Sequence, residues 1–278
     1  MASAVNRPKS MAEHGSHFYR AHFGHVITHS ADPCRLPDEW IIFPDDFYTP
    51  FEMPIAGRSV AIVGNGHVTG RGRMIDEHDV VIRINYPYQW KRHARDDGEK
   101  LTIWAGLGKL EVFNPSVFQN PPDNFNLVDF KDAIAAAESL HCISHRHVQS
   151  GFWDMILALG LTSKFQVHWS SPVVFDAIEP TPYGADRFLL SWLTNRCYLE
   201  NGYGGWYGWD VLLTGVKVLL MVGMSKPASI NVFGMNFYND GYREPWDMHQ
   251  LSLNLEVFRK IIHVAREIGI PTEIIDNQ

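Results

Sequence analysis

Two short apolar runs joined through a glycine turn limit what this chain can become more than any other feature. Val60-Ala61-Ile62-Val63 and Val80-Val81-Ile82-Arg83-Ile84 are rich in β-branched residues and do not alternate with polar ones. That pattern suits parallel strands buried on both faces. The first run stops at Gly64-Asn65-Gly66. Glycine has no Cβ, so the chain can turn sharply there and leave its N–H groups open to a ligand phosphate. The second run stops at Asn85. Strand, glycine turn, short crossover and strand make the opening of a nucleotide-binding α/β domain, whose ligand lies beyond the carboxyl ends of the strands. Asn65 and Asn85 are both expected there.

The usual nucleotide signatures are absent. A dinucleotide fold places a third glycine where this chain has Thr69, and an acidic residue at the end of the second strand, where it has Arg83-Ile84-Asn85. No Gly-Lys-Ser/Thr follows the glycines, so the turn is not a P-loop either. An oxidoreductase is therefore disfavoured, while an ordinary strand-to-helix turn stays open as the plain alternative.

The rest of the chain repeats the alternation. Strands are expected at Leu101–Ala105, His141–Ser144, Phe165–Trp169 and Ile230–Gly234, and helices at Lys131–Leu140, Phe152–Leu161, Asp210–Met224 and from about His249 onward. The last helix carries Leu251, Leu255, Phe258, Ile262 and Ala265 along one side. The charged residues from Lys91 to Lys100 read as a solvated loop. The predicted fold is a Rossmann-like, mostly parallel α/β sheet with helices on both faces, forming one domain over residues 57–278. Residues 1–56, rich in His, Pro and aromatic side chains, read as an extension packed on it. His22, His25 and His29 share one face of a notional helix but lack a carboxylate or thiolate partner, which favours surface residues over a metal site. His145 and His147 follow a predicted strand and are candidates for the cleft, with a surface role as the alternative.

Composition narrows the partners. A net charge of −7 argues against nucleic acid and anionic membranes. The three cysteines, Cys34, Cys142 and Cys197, fit no metal spacing and cannot all pair, which favours reduced thiols. No run of about twenty apolar residues and no signal peptide is evident, so a cytoplasmic protein without a transmembrane segment is expected.

Three blocks in order resemble the large motif of the sialyltransferase family: Val60 to Gly66, then Asp76-Glu77-His78-Asp79 leading into Arg83-Ile84-Asn85, then Asp97-Gly98-Glu99-Lys100-Leu101-Thr102. The animal enzymes open this motif with a bridged cysteine, and Val60 stands at that place, so the resemblance implies a non-Golgi relative of GT-A-like fold. It further implies that Gly64, Asn65, Gly66 and Asn85 hold the CMP half of a CMP-sugar donor. Gly204, Gly205 and Gly208, interleaved with Trp206, Tyr207 and Trp209, resemble the small motif. Trp206 and Tyr207 replace its hydroxyl residues, and Tyr207, Gly208 and Trp209 are the expected contacts for the donor's carboxylate or phosphate.

His249 resembles the catalytic base of the very small motif, although the acid expected five residues on is replaced by Asn254 and the nearest acid is Glu256. Tyr238 and Tyr242 stand in for the family's remaining motif, as phenols able to donate to the departing phosphate. The resemblance implies inverting transfer of sialic acid, or a related ulosonic acid such as Kdo, to a glycan hydroxyl. With no Asp-x-Asp anywhere in the chain, no metal or other cofactor is expected. The altered motifs leave a second possibility, a catalytically silent nucleotide- or glycan-binding protein.

Overall fold

The computed structural model describes residues 40–42, 48–49, 53–87, 91, 93–108, 127–143, 147–168, 213–237 and 251–275. Its centre is an eight-stranded sheet built from β2 (Tyr48–Thr49), β3 (Ser59–Val63), β4 (Val80–Ile84), β5 (Ile103–Gly106), β6 (Ser139–Cys142), β8 (Phe165–His168), β9 (Ser229–Phe233) and β10 (Thr272–Ile275). The order across it is β10-β9-β3-β4-β5-β6-β8-β2, and every neighbouring pair is parallel. A separate antiparallel pair joins β1 (Trp40–Ile42) to β7 (His147–Gln149). β4 and β5 are buried along their whole lengths, as unbroken apolar runs require.

Successive residues of each strand feed opposite layers. Val60, Ile62, Val80, Ile82, Ile84, Ile230 and Val232 pack with α5 (Thr214–Met224) and α6 (Leu251–Glu267). On the other face, Ala61, Val63, Val81 and Phe233 meet Ile75 of α1 (Gly72–Asp76). Trp104, Leu140, Phe165 and Val167 there meet α3 (Leu127–Ala136) and α4 (Ser150–Ala158). A short α2 (Ala94–Asp97) lies beside α1.

The chain runs outward from β3 through β4, β5, β6 and β8, then returns to the other side of β3 as β9 and β10. The boundary between β3 and β9 is therefore the topological switch point. Ligands of open α/β sheets bind in the crevice outside the carboxyl ends of the strands at such a point.

Two expectations change here. The charged run before Lys100 contains helix α2, and Asp97 in it is buried rather than solvated. The buried side of α6 is centred on Asn254, Val257, Phe258, Ile261, Ile262, Val264 and Ala265, while Leu251 and Leu255 are only partly covered. Among the described residues no helix is long and apolar enough to cross a membrane.

Candidate functional site

The turn after β3 lies at the switch point, and its glycines have a different use from the one expected. Gly64 N donates to Phe233 O at 2.8 Å and Gly66 N to Gly234 O at 2.8 Å, so both N–H groups are spent on β9. A Cβ on Gly64 or Gly66 would come within 2.5 or 2.6 Å of Gly234 O, and one on Gly234 within 2.7 Å of Gly66 O. Gly234 has φ +61°, a conformation that favours glycine. These residues lock the end of β3 to the end of β9; they do not leave those two N–H groups open for phosphate.

Asn65 and Asn85 do come together at adjacent strand ends. The Asn65 amide nitrogen donates to Tyr86 O at 2.9 Å and Ile84 O at 3.1 Å, in the orientation that satisfies both contacts. Asn85 follows β4 directly, with φ +53°, a region asparagine tolerates better than most residues. Its N–H donates to Ala105 O at 2.9 Å, its carbonyl accepts from Trp104 Nε1 at 2.5 Å, and its Oδ1 accepts from Leu107 N at 3.3 Å. Both side chains are half-buried, and Asn85 Nδ2 has no hydrogen-bond partner among the described residues. The two amides thus tie the ends of β3, β4 and β5 together on the carboxyl side of the sheet.

The other blocks that resemble the large motif tie the starts of β3 and β4 together and hold the segment before β5. Asp79 accepts from Ser59 N and Ser59 Oγ, each at 2.8 Å, joining the starts of β3 and β4. Those two hydrogen bonds hold its carboxyl below the ordinary range. Asp76 accepts from Glu99 N at 3.0 Å and Lys100 N at 2.8 Å; Lys100 Nζ donates to His78 O. His78 Nδ1 lies 2.9 Å from Met74 O.

Arg83, fully buried in β4, donates to Asp97 Oδ2 at 3.0 Å, Asp97 O at 2.7 Å, Gly98 O at 3.0 Å and Lys100 O at 3.0 Å. Burial lowers the Arg83 pKa and raises that of Asp97 to about 6, outweighing the pull of the guanidinium on the carboxyl. Beside this pair a cavity of about 10 Å³ reaches Gly64, Asn65, Val68 and Pro87.

A contact missed in the sequence joins the start of α5 to α6. Asn254 in α6 is fully buried, and its Oδ1 accepts from Leu213 N at 2.6 Å, at the start of α5. Leu213 is the N-cap residue of α5 and brings no side-chain cap of its own. Asn254 supplies one from another helix, in the manner of the back-bonding partner of a capping box.

Elsewhere His141 and His168 stack in the sheet with Nδ1 and Nε2 2.7 Å apart, and burial lowers His141 to about 3. Cys142 is buried and forms no disulfide among the described residues. His147 lies in β7 opposite Ile42. Tyr207, Gly208, Trp209, Tyr238, Tyr242 and His249 lie outside the described residues, as do His22, His25, His29, His145, Cys34 and Cys197. Among the described residues no group of three or more His, Cys, Asp or Glu is placed to hold a metal.

Comparison with known proteins gives this edge of the sheet a context. Residues 51–145 match the model of glycosyltransferase family 29 (sialyltransferase). The chain is 38% identical over 79 residues to an alpha-N-acetylneuraminide alpha-2,8-sialyltransferase of Bos taurus, a match that covers 26% of this chain and 20% of the relative. Among solved structures, it is similar to a monofunctional alpha-2,3-sialyltransferase from Campylobacter jejuni, with a TM-score of 0.49 and 10% identity over 88% of this chain and 81% of that one. A mammalian sialyltransferase solved with a Gal-beta-1-3GalNAc compound gives a TM-score of 0.43 and 14% identity over 80% of this chain and 70% of that one.

Proposed function

We propose that this chain, whose residues 51–145 match glycosyltransferase family 29 (sialyltransferase), transfers a sialic acid, or a related ulosonic acid such as Kdo, from its CMP derivative to a glycan hydroxyl. The observation that carries this is the placement of Asn65 and Asn85. They end adjacent parallel strands beside the switch point, half-buried, with an unpartnered amide nitrogen on Asn85 among the described residues. In this reading they grip CMP through amide hydrogen bonds, while Gly64 and Gly66 act by fixing the turn that presents Asn65.

His249 takes the proton of the acceptor hydroxyl as neutral imidazole, whose ordinary pKa suits a base near neutrality. The hydroxyl oxygen forms a bond to the anomeric carbon as the bond from that carbon to the phosphate oxygen breaks, so one displacement inverts the centre. CMP leaves with the electron pair. Tyr238 or Tyr242 donates to the departing phosphate, and Tyr207, Gly208 and Trp209 receive the donor's carboxylate or phosphate. A leaving group with a single phosphate needs only protein donors, so transfer should proceed without a metal.

The alternative, a catalytically silent nucleotide- or glycan-binding protein, has the same fold and is separated from this reading by turnover. Transfer from CMP-sialic acid to a panel of glycans, followed by mass spectrometry with and without EDTA, tests it. Turnover should survive EDTA and vanish in His249→Ala while CMP still binds. Unchanged turnover in that variant removes the base, and CMP binding without any transfer favours the silent protein.

A further inference from the structure

Resting on the donor reading above, we propose that Asp97 is a positioning residue for Asn65, acting through one water held between them in the cavity behind the Gly64–Asn65 turn. Asp97 is 4% exposed. Its Oδ2 pairs with Arg83, but its Oδ1 is shut off from solvent and makes no hydrogen bond among the described residues. A buried carboxylate oxygen is seldom left without a donor. The cavity of about 10 Å³ is lined by Asp97 and Arg83 together with Gly64, Asn65 and Val68 from the turn after β3. That is the room one water needs, and the lining offers the polar partners that keep such a water in place.

A water there donates to Asp97 Oδ1 and bridges to the Asn65 side of the cavity. Asn65 is otherwise held through the carbonyls of Ile84 and Tyr86. The bridge adds an anchor from α2, so the buried ion pair fixes the amide that faces the donor. The ionisable groups around Asp97 are Arg83 on β4, Asp76 on α1 and His93 ahead of α2. Because burial places the Asp97 carboxyl near 6, the bridge should change as pH crosses that value.

The test follows the side-chain amide resonances of Asn65 in ¹⁵N spectra of the ligand-free protein between pH 7.5 and 5. They should move with a midpoint near 6 in the wild type and in His93→Gln, and stay flat in Asp97→Asn. Flat resonances in the wild type, or a step lost in His93→Gln or surviving in Asp97→Asn, overturn the proposal. CMP affinity should also fall about tenfold in Asp97→Asn, the worth of roughly one hydrogen bond. A folded variant that binds CMP like the wild type overturns the proposal as well. If the wild type does not bind CMP, the donor reading fails, and the ligand-free titration still decides the role of Asp97. If Asp97→Asn does not fold, the wild-type and His93→Gln titrations decide it.

Discussion

Asn85 joins two roles in one residue, and substitution can part them. Its backbone takes a positive φ and is tied to Ala105 and Trp104, whereas its amide nitrogen has no hydrogen-bond partner among the described residues. Asn85→Gly keeps the backbone conformation accessible and deletes the amide. The variant should fold and lose CMP affinity by at least about tenfold in isothermal titration; wild-type affinity would show the amide to be structural only. Asn254→Ala leaves Leu213 N without its acceptor and opens a space in the core. Chemical denaturation should show a loss of about 1–2 kcal/mol, the usual worth of a cap, and unchanged stability would contradict the contact. In the sequence this residue looked like a broken motif, because its partner is 41 positions away. Asp97 was misread for a related reason: a carboxylate in a charged run is ordinarily solvated, and nothing local reveals that Arg83, 14 residues earlier, draws it inward.

Secondary elements were more legible where burial alone sets the pattern. β4 spans the residues expected of it, and β3 begins only one residue earlier, since a fully buried strand writes itself as an apolar run. The four-residue β10, bearing a glutamate and following a proline, carries no such signal. The glycine turn was located correctly but its purpose was not, because glycine admits a ligand and a neighbouring backbone equally well. Gly66→Ala tests the second use: a Cβ 2.6 Å from Gly234 O must push β3 and β9 apart. Thermal unfolding should report a loss of about 1–3 kcal/mol, and a neutral outcome would mean that the turn yields freely.

The paired imidazoles of β6 and β8 give the sheet a pH response. With the folded pKa of His141 near 3 and the unfolded value near 6.5, the unfolded chain binds the extra proton. Stability from this residue is complete above about 6.5 and falls toward pH 3, by at most about 1.4 kcal/mol per pH unit. Asp97 has the opposite sign. Its folded pKa near 6 exceeds the unfolded value, so acid relieves its cost between about 6 and 4. Denaturation curves of His141→Gln should therefore lose stability less steeply than wild type from pH 6.5 downward. Parallel curves for the two proteins would contradict the burial of a neutral His141.

For the molecule as a whole, alternating elements in the sequence indicated a parallel sheet, but strand order is not a local property and emerged only with the structure. Order is what gives the site its location, since β9 returns beside β3 and places the crevice next to Asn65. The family resemblance named the two asparagines; the fold supplies the reason they are neighbours, through the register that pairs Val63 with Arg83 two residues short of each. The central claim is that this pair of amides holds CMP. Isothermal titration of CMP, with UDP and GDP as controls, into the wild type, Asn65→Ala and Asn85→Gly tests it most directly. The account predicts saturable binding of CMP in preference to the other nucleotides, weakened about tenfold or more in each variant. No CMP binding by the wild type, or equal affinity in all three proteins, would contradict it.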